Sequence, residues 1–278
     1  MPEARTYPHG VTCWVDTTQP DVDDALDFYG GLFGWEFEEA APPEAPVRYV
    51  MASLGAREVA ALTGADDRTA TWKTYVAVDD CEAAADTWRG LGGTVMMPPA
   101  DAGPEGQAGR AATVADPEGV PIGLWQPRQR LGVQATNEPG AWNFSDLHTA
   151  DPAAAAEFYA AAFGWRVVDQ GWGTAIQVPG YGDHLEATVD PDIRSRQSSA
   201  PEGFEDVIGG IAPVTAGEQP HWHVTFTVAD RDESAAAVER LGGAVLSSAE
   251  DDWTRSALVR DPGGAEFTVS QFAPKEWG

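Results

Sequence analysis

The sequence predicts an α+β chain of two homologous halves, each built from two units of the order βαβββ. Three observations predict it: the chain repeats itself, its helices carry start and stop signals, and short β-runs recur around them. DALDFYGGLFGWEFEE (24–39) returns as AAAEFYAAAFGWRVVD (154–169), which matches Tyr29 with Tyr159, Trp35 with Trp165 and Asp16 with Asp146. VAVDDCEAAADTWRGLGG (76–93) is echoed by FTVADRDESAAAVERLGG (226–243), and the turn DPEG (116–119) by DPGG (261–264).

The elements follow in order. In the first unit a β-run ends in Asp, and apolar residues then recur at helical spacing at Val22, Ala25, Phe28, Tyr29 and Leu32. Asp16 and Asp146 close their strands ahead of the helix and organise that turn. In the third unit Asp151 reads as an N-cap, with Pro152 at the first helical position. The helices of the second and fourth units stop at Gly-Gly, 92–93 and 242–243. Three β-runs follow each helix, and in those two units an Asp-Pro-x-Gly turn launches the last. The boundaries are a first domain at 1–128 (units about 9–64 and 70–128), a linker at 129–139, and a second domain at 140–278 (units about 140–213 and 220–273). About 20 extra residues, roughly 180–203, sit in the third unit and can fold over a cavity mouth.

Composition narrows the partners. The chain has 278 residues, 43% of them hydrophobic, so it can bury a core. Its 17 basic and 44 acidic residues give a net charge of −27, and both halves share the excess. Such a surface repels phosphate backbones and anionic lipids, so neither nucleic acid nor membrane is an expected partner. Cys13 and Cys81 are the only cysteines, too few for a disulfide framework or a thiolate zinc site, and they read as free thiols. MPEARTYPHG has no apolar stretch of the signal-peptide kind, which points to a cytoplasmic protein, monomer or homodimer.

Four βαβββ units, FY…FGW after the first strand, LGG after the second helix and DPxG before the last strand together resemble the vicinal oxygen chelate superfamily. That superfamily includes glyoxalase I, bleomycin-resistance proteins, fosfomycin-resistance enzymes and extradiol dioxygenases, and this chain resembles its tandem-domain bacterial members. The resemblance runs from Gly10 to Phe272. It implies paired units curled into half-barrel sheets around a cavity, with metal ligands on the first and last strands of each unit. The ligand histidine of the second-unit first strand, five residues before a valine, falls on Lys73 in one half and His223 in the other. The glutamate position, four residues after the turn glycine, falls on Gly123 and Thr268. Counted in the same way, the first-strand positions are Gly10 and Gly140, and the fourth lies near Ala61 and Gly210.

A divalent ion wants three or four N, O or S donors, which this set does not offer, and an ammonium at Lys73 repels a cation. His221 shares a strand face with His223 but lies about 7 Å along it, too far for one ion to take both readily. Aromatic residues on the ligand-bearing face (Trp14, Tyr75, Trp125, Trp142 and Phe144) suit a planar molecule, while Trp35, Trp88 and Trp165 read as core. The sequence holds no defensible Ser-His-Asp or Cys-His arrangement, P-loop or G-x-G-x-x-G run. The reading favoured is a binder of a small aromatic or cationic molecule that needs no cofactor. Trp14, Lys73, Tyr75, Trp125, Trp142, Phe144, His184, His223 and Thr268 are its pocket candidates. One alternative is a lyase, isomerase or dioxygenase using Zn, Ni, Mn or Fe at a rebuilt site of His184, Glu186 and His223. A ligand-free scaffold is the other.

Overall fold

In the computed structural model the first half runs β1 (Thr12–Gln19), α1 (Val22–Phe33), β2 (Glu36–Glu39), β3 (Tyr49–Leu54), β4 (Arg57–Gly64), β5 (Thr71–Ala77), α2 (Cys81–Gly90), β6 (Thr94–Ala102), β7 (Gly109–Ala115) and β8 (Pro121–Pro127). The second half runs β9 (Trp142–Thr149), α3 (Pro152–Phe163), β10 (Arg166–Asp169), β11 (Thr174–Gln177), α4 (Tyr181–Ala187), α5 (Ile193–Arg196), β12 (Val207–Pro213), β13 (His221–Thr227), α6 (Arg231–Arg240), β14 (Ala244–Glu250), β15 (Thr254–Arg260) and β16 (Glu266–Phe272). The structure describes residues 4–42, 44–64, 70–171, 173–198 and 200–275, so the outermost residues of both expected domains, 1 and 278, lie outside it. Among the described residues no helix is long and apolar enough to cross a membrane.

Local chemistry sets the module helices. Asp21, Asp80, Asp151 and Asp230 cap α1, α2, α3 and α6, each carboxylate accepting from the backbone N–H three residues on. At the other end Gly34 and Gly164 take the left-handed conformation after α1 and α3, and Gly92 and Gly242 take it just past α2 and α6. The extra residues of the third unit form α4 and α5, between β11 and β12.

The strands make two eight-stranded mixed sheets, one per half, ordered β2-β3-β4-β1-β5-β8-β7-β6 and β10-β11-β12-β9-β13-β16-β15-β14. In every module the first strand pairs in parallel with the last. Asp16 lies opposite Ala61, Tyr75 opposite Gly123, Asp146 opposite Gly210 and Thr225 opposite Thr268.

Packing groups the residues differently from the repeat. One compact unit consists of Met1–Trp14, Thr74–Gly132 and Ser145–Trp222, the other of Val15–Lys73, Val133–Phe144 and His223–Gly278. In the second of these, Phe28, Tyr29, Phe33, Trp35, Trp72, Phe226 and Phe267 interlock as an aromatic core. The first repeats the plan with Trp88, Phe158, Tyr159, Phe163, Trp165 and Trp222. Such ring pairs stabilise by about 0.5–1.5 kcal/mol each beyond their buried area.

The recurring motifs are partners of one another. The Tyr29 hydroxyl donates to Asp261 Oδ2 at 2.8 Å, and the Tyr159 hydroxyl to Asp116 Oδ2 at 3.1 Å. The tyrosine of each FY thus binds the aspartate of a DPxG turn from the other half of the chain. The FGW tryptophans donate to backbone carbonyls, Trp35 Nε1 to Gly140 at 2.7 Å and Trp165 Nε1 to Gly10 at 2.6 Å. Gly10 and Gly140 sit at φ +84° and +86°, and a Cβ at either would come 2.9 Å from a carbonyl oxygen, of Phe163 or Phe33. They are packing glycines ahead of β1 and β9, not ligand positions, which corrects the count made from the sequence.

Cys13 and Cys81 are buried free thiols. Burial pushes both up, that of Cys81 to about 11 with a further contribution from Glu82. Neither is expected to react with a thiol-specific disulfide reagent at neutral pH until the chain is unfolded, when two thiols should react. Rapid labelling of the folded protein would contradict this placement.

Candidate functional site

The helix caps give a register that the sequence count lacked. Seven residues before each capping aspartate stand Trp14, Lys73, Phe144 and His223, so these four are equivalent. Because β1 continues to Gln19, the residue equivalent to Val78 is that glutamine, and the first-strand position falls on Trp14 and not on Gly10. Two residues further along each first strand come Asp16, Tyr75, Asp146 and Thr225, opposite Ala61, Gly123, Gly210 and Thr268. The ligand positions implied by the resemblance are therefore Trp14, Ala61, Lys73 and Gly123 in the first half, and Phe144, Gly210, His223 and Thr268 in the second.

Asp16 is the residue that sequence reasoning misplaced. Asp21, not Asp16, organises the turn, and Asp16 stands inside β1 with a side chain only 2% exposed. Lys73 Nζ lies 3.7 Å from Asp16 Oδ1, and the Tyr49 hydroxyl donates to Oδ2 at 3.4 Å. The signal was present: Asp16 alternates with Trp14 on one strand face, and the pattern recurs at Asp146 and Phe144. In the same unit, His223 Nε2 meets Thr268 Oγ1 at 2.8 Å, so the two candidates from the fourth module bond to each other. Trp142 is buried beside half-buried Phe144 on β9.

In the other unit the Tyr75 ring covers Gly123, where an added Cβ would fall 2.0 Å from Cδ1. Trp14 is buried, and half-buried Trp125 donates from Nε1 to the Arg130 carbonyl at 3.0 Å. Burial pushes the Asp146 carboxyl up, opposed by neighbouring His148 and by the Gly210 N–H. His184, on α4, meets Thr6 at its hydroxyl (3.2 Å) and its carbonyl (3.1 Å), while Glu186 pairs with Arg194. The structure brings together a different group: His148 near the end of β9, Glu218 in the turn after β12, and His221 at the start of β13. His148 Nδ1 lies 2.5 Å from Glu218 Oε1, and His221 Nδ1 lies 3.8 Å from that same oxygen.

Comparison with known proteins follows this architecture. Residues 14–124 match the model of the Glyoxalase/Bleomycin resistance protein/Dioxygenase superfamily, and residues 144–270 match that of the Glyoxalase-like domain. CFP32 of Mycobacterium tuberculosis (strain CDC 1551 / Oshkosh), which carries the name of a glyoxylase, is 34% identical over 99% of this chain and 100% of its own length. DnrV of Streptomyces peucetius, named as an anthracycline biosynthesis protein, is 31% identical over 94% of this chain and 92% of its own. The Mn(II)-bound glyoxalase from Novosphingobium aromaticivorans shares the fold at a TM-score of 0.60, covering 95% of this chain and 82% of that one at 13% identity. The chain belongs to the glyoxalase/bleomycin-resistance/dioxygenase superfamily, the vicinal oxygen chelate superfamily, as a tandem-domain member.

Proposed function

We propose that this chain binds a small planar aromatic molecule, and does so without a metal ion at the positions its superfamily uses for one. The observation that carries this reading is the Asp16–Lys73 pair, which puts an ammonium and its counter-ion where a ligand side chain would stand. A cation is disfavoured beside that ammonium. Trp14, Ala61 and Gly123 add no donor, and in the second half His223 bonds Thr268 while Phe144 and Gly210 offer nothing to an ion. In one unit Trp14, Tyr75 and Trp125 supply aromatic surface for a flat ligand; in the other Trp142 and Phe144 do, with Lys73, Asp16 and His223 as polar contacts. A fused-ring molecule of the kind named for DnrV suits such surfaces. The net charge of −27 favours a small molecule over nucleic acid, and we place the protein in the cytoplasm as a monomer or homodimer. The runner-up is a metal-dependent lyase, isomerase or dioxygenase of the glyoxalase kind; CFP32 carries the name of a glyoxylase.

Tryptophan quenching by a hydroxyanthraquinone separates the two. Quenching is expected to saturate, to be unchanged by chelator, and to weaken about tenfold in Lys73→Met, the loss of one charge-assisted contact. Metal-dependent turnover that disappears with chelator and in His223→Ala would overturn the reading.

A further inference from the structure

We propose a divalent-cation site at His148, Glu218 and His221, displaced from the positions the superfamily uses. One nitrogen from each ring and one Glu218 oxygen lie within 4.8 Å of one another. Glu218 is held in place: its Oε2 accepts from the Thr215 N–H and hydroxyl, both at 2.8 Å, which leaves Oε1 turned toward the two rings. Those rings lie 4.8 Å apart between centroids. A turn that needed only a cap is complete with Thr215 and Glu218, and one histidine would serve to pair the carboxylate. Two imidazoles around a single carboxylate oxygen make the donor set of an open His-His-Glu site, with further positions left for water. The side chains are 24%, 22% and 40% exposed in chain order, so an ion can enter.

The geometry is near that of an occupied site. An ion about 2.1 Å from each of three tetrahedral donors spaces them roughly 3.4 Å apart. The gaps of up to 4.8 Å close by rotation of the His221 ring, which exchanges the present 2.9 Å contact of its Nδ1 with the Gln219 carbonyl for the ion. The ion would stand where a proton now links His148 Nδ1 to Glu218 Oε1, and that proton passes to His148 Nε2 or to solvent. Imidazole with carboxylate suits Zn(II) first, then Ni(II), Fe(II) or Mn(II). The protein's net charge of −27 also favours cation binding.

This site goes beyond the reading above and does not rest on it, and the test keeps them apart. Untagged full-length protein is loaded with Zn(II), dialysed against metal-free buffer and assayed for bound metal, with Co(II) loaded in parallel and its visible absorption recorded. One equivalent is expected, with the Co(II) bands of a nitrogen- and oxygen-ligated ion. His148→Ala/His221→Ala should weaken both signals at least tenfold, and His223→Ala should leave them unchanged. Circular dichroism checks that the variants fold, and Glu218→Gln, which keeps an acceptor for Thr215, supplies a second loss. Absence of metal in the parent, or its retention in the double variant, overturns the site. Metal lost in His223→Ala instead would overturn both proposals.

Discussion

Asp261→Ala is expected to lower the stability of this protein by about 3–5 kcal/mol, read as a fall of roughly 10 °C in the melting temperature. Asp261 is 3% exposed, and its carboxylate accepts from the Tyr29 hydroxyl at 2.8 Å, from Gln19 Nε2 at 2.7 Å and from the Ala265 N–H at 2.7 Å. Removing it strands the buried Tyr29 hydroxyl and one N–H of the buried Gln19 amide, whose other N–H keeps Thr17, and frees the turn that launches β16. Each stranded donor loses a charge-assisted bond, which decides the size of the effect. Tyr29→Phe removes one donor alone and should cost about 1–2 kcal/mol. If Asp261→Ala were no worse than Tyr29→Phe, the aspartate would be a turn residue only, and its pairing with the FY motif would have no weight in the fold.

Gly123→Ala is expected to cost about 1–3 kcal/mol in denaturant unfolding, an unusual penalty for one methyl group. The new Cβ would lie 2.0 Å from Tyr75 Cδ1 and 2.4 Å from Cε1, so the ring or the strand must shift. Register holds both, because Tyr75 and Gly123 are opposite one another between β5 and β8. In a Tyr75→Ala background the same substitution should cost little, giving a coupling of roughly 1–2 kcal/mol in the double-mutant cycle. Additive costs would mean that the ring swings aside freely. The resemblance implies a glutamate at this position, and Gly123→Glu is expected to fold well only when Tyr75 is also reduced in size.

What the sequence made legible was local chemistry. Capping aspartates, the Gly-Gly stops and the Asp-Pro-x-Gly turns act within a few residues, so the repeat could be parsed into modules and the fold class read from it. Long-range pairing left no such trace. Tyr29 and Asp261 are each plainly recurrent, yet nothing in either motif says that they meet. Asp16 looked like a turn residue because its strand was assumed to end there. The first-strand ligand positions need the helix cap as their landmark, because it alone transfers between modules. The His148–Glu218–His221 group stayed hidden because its carboxylate comes from a turn, where strand alternation gives no register. His184 and Glu186 drew attention by adjacency, but Thr6 and Arg194 engage them.

The interleaving of the two compact units has a consequence for synthesis. At about 5–20 residues per second, the 232 positions between Tyr29 and Asp261 take roughly 10–50 s to translate. Phe28, Phe33 and Trp35 emerge around the start of that interval, whereas Phe226 is made only late in it and Phe267 after it, and both are needed to complete their aromatic core. The unit that ends at Trp222 can close while the ribosome is still at work, whereas the other must wait for the last strand. A nascent chain of this order gives holding chaperones their target in the first quarter of the message, and rare codons placed late would lengthen the exposure of residues encoded early.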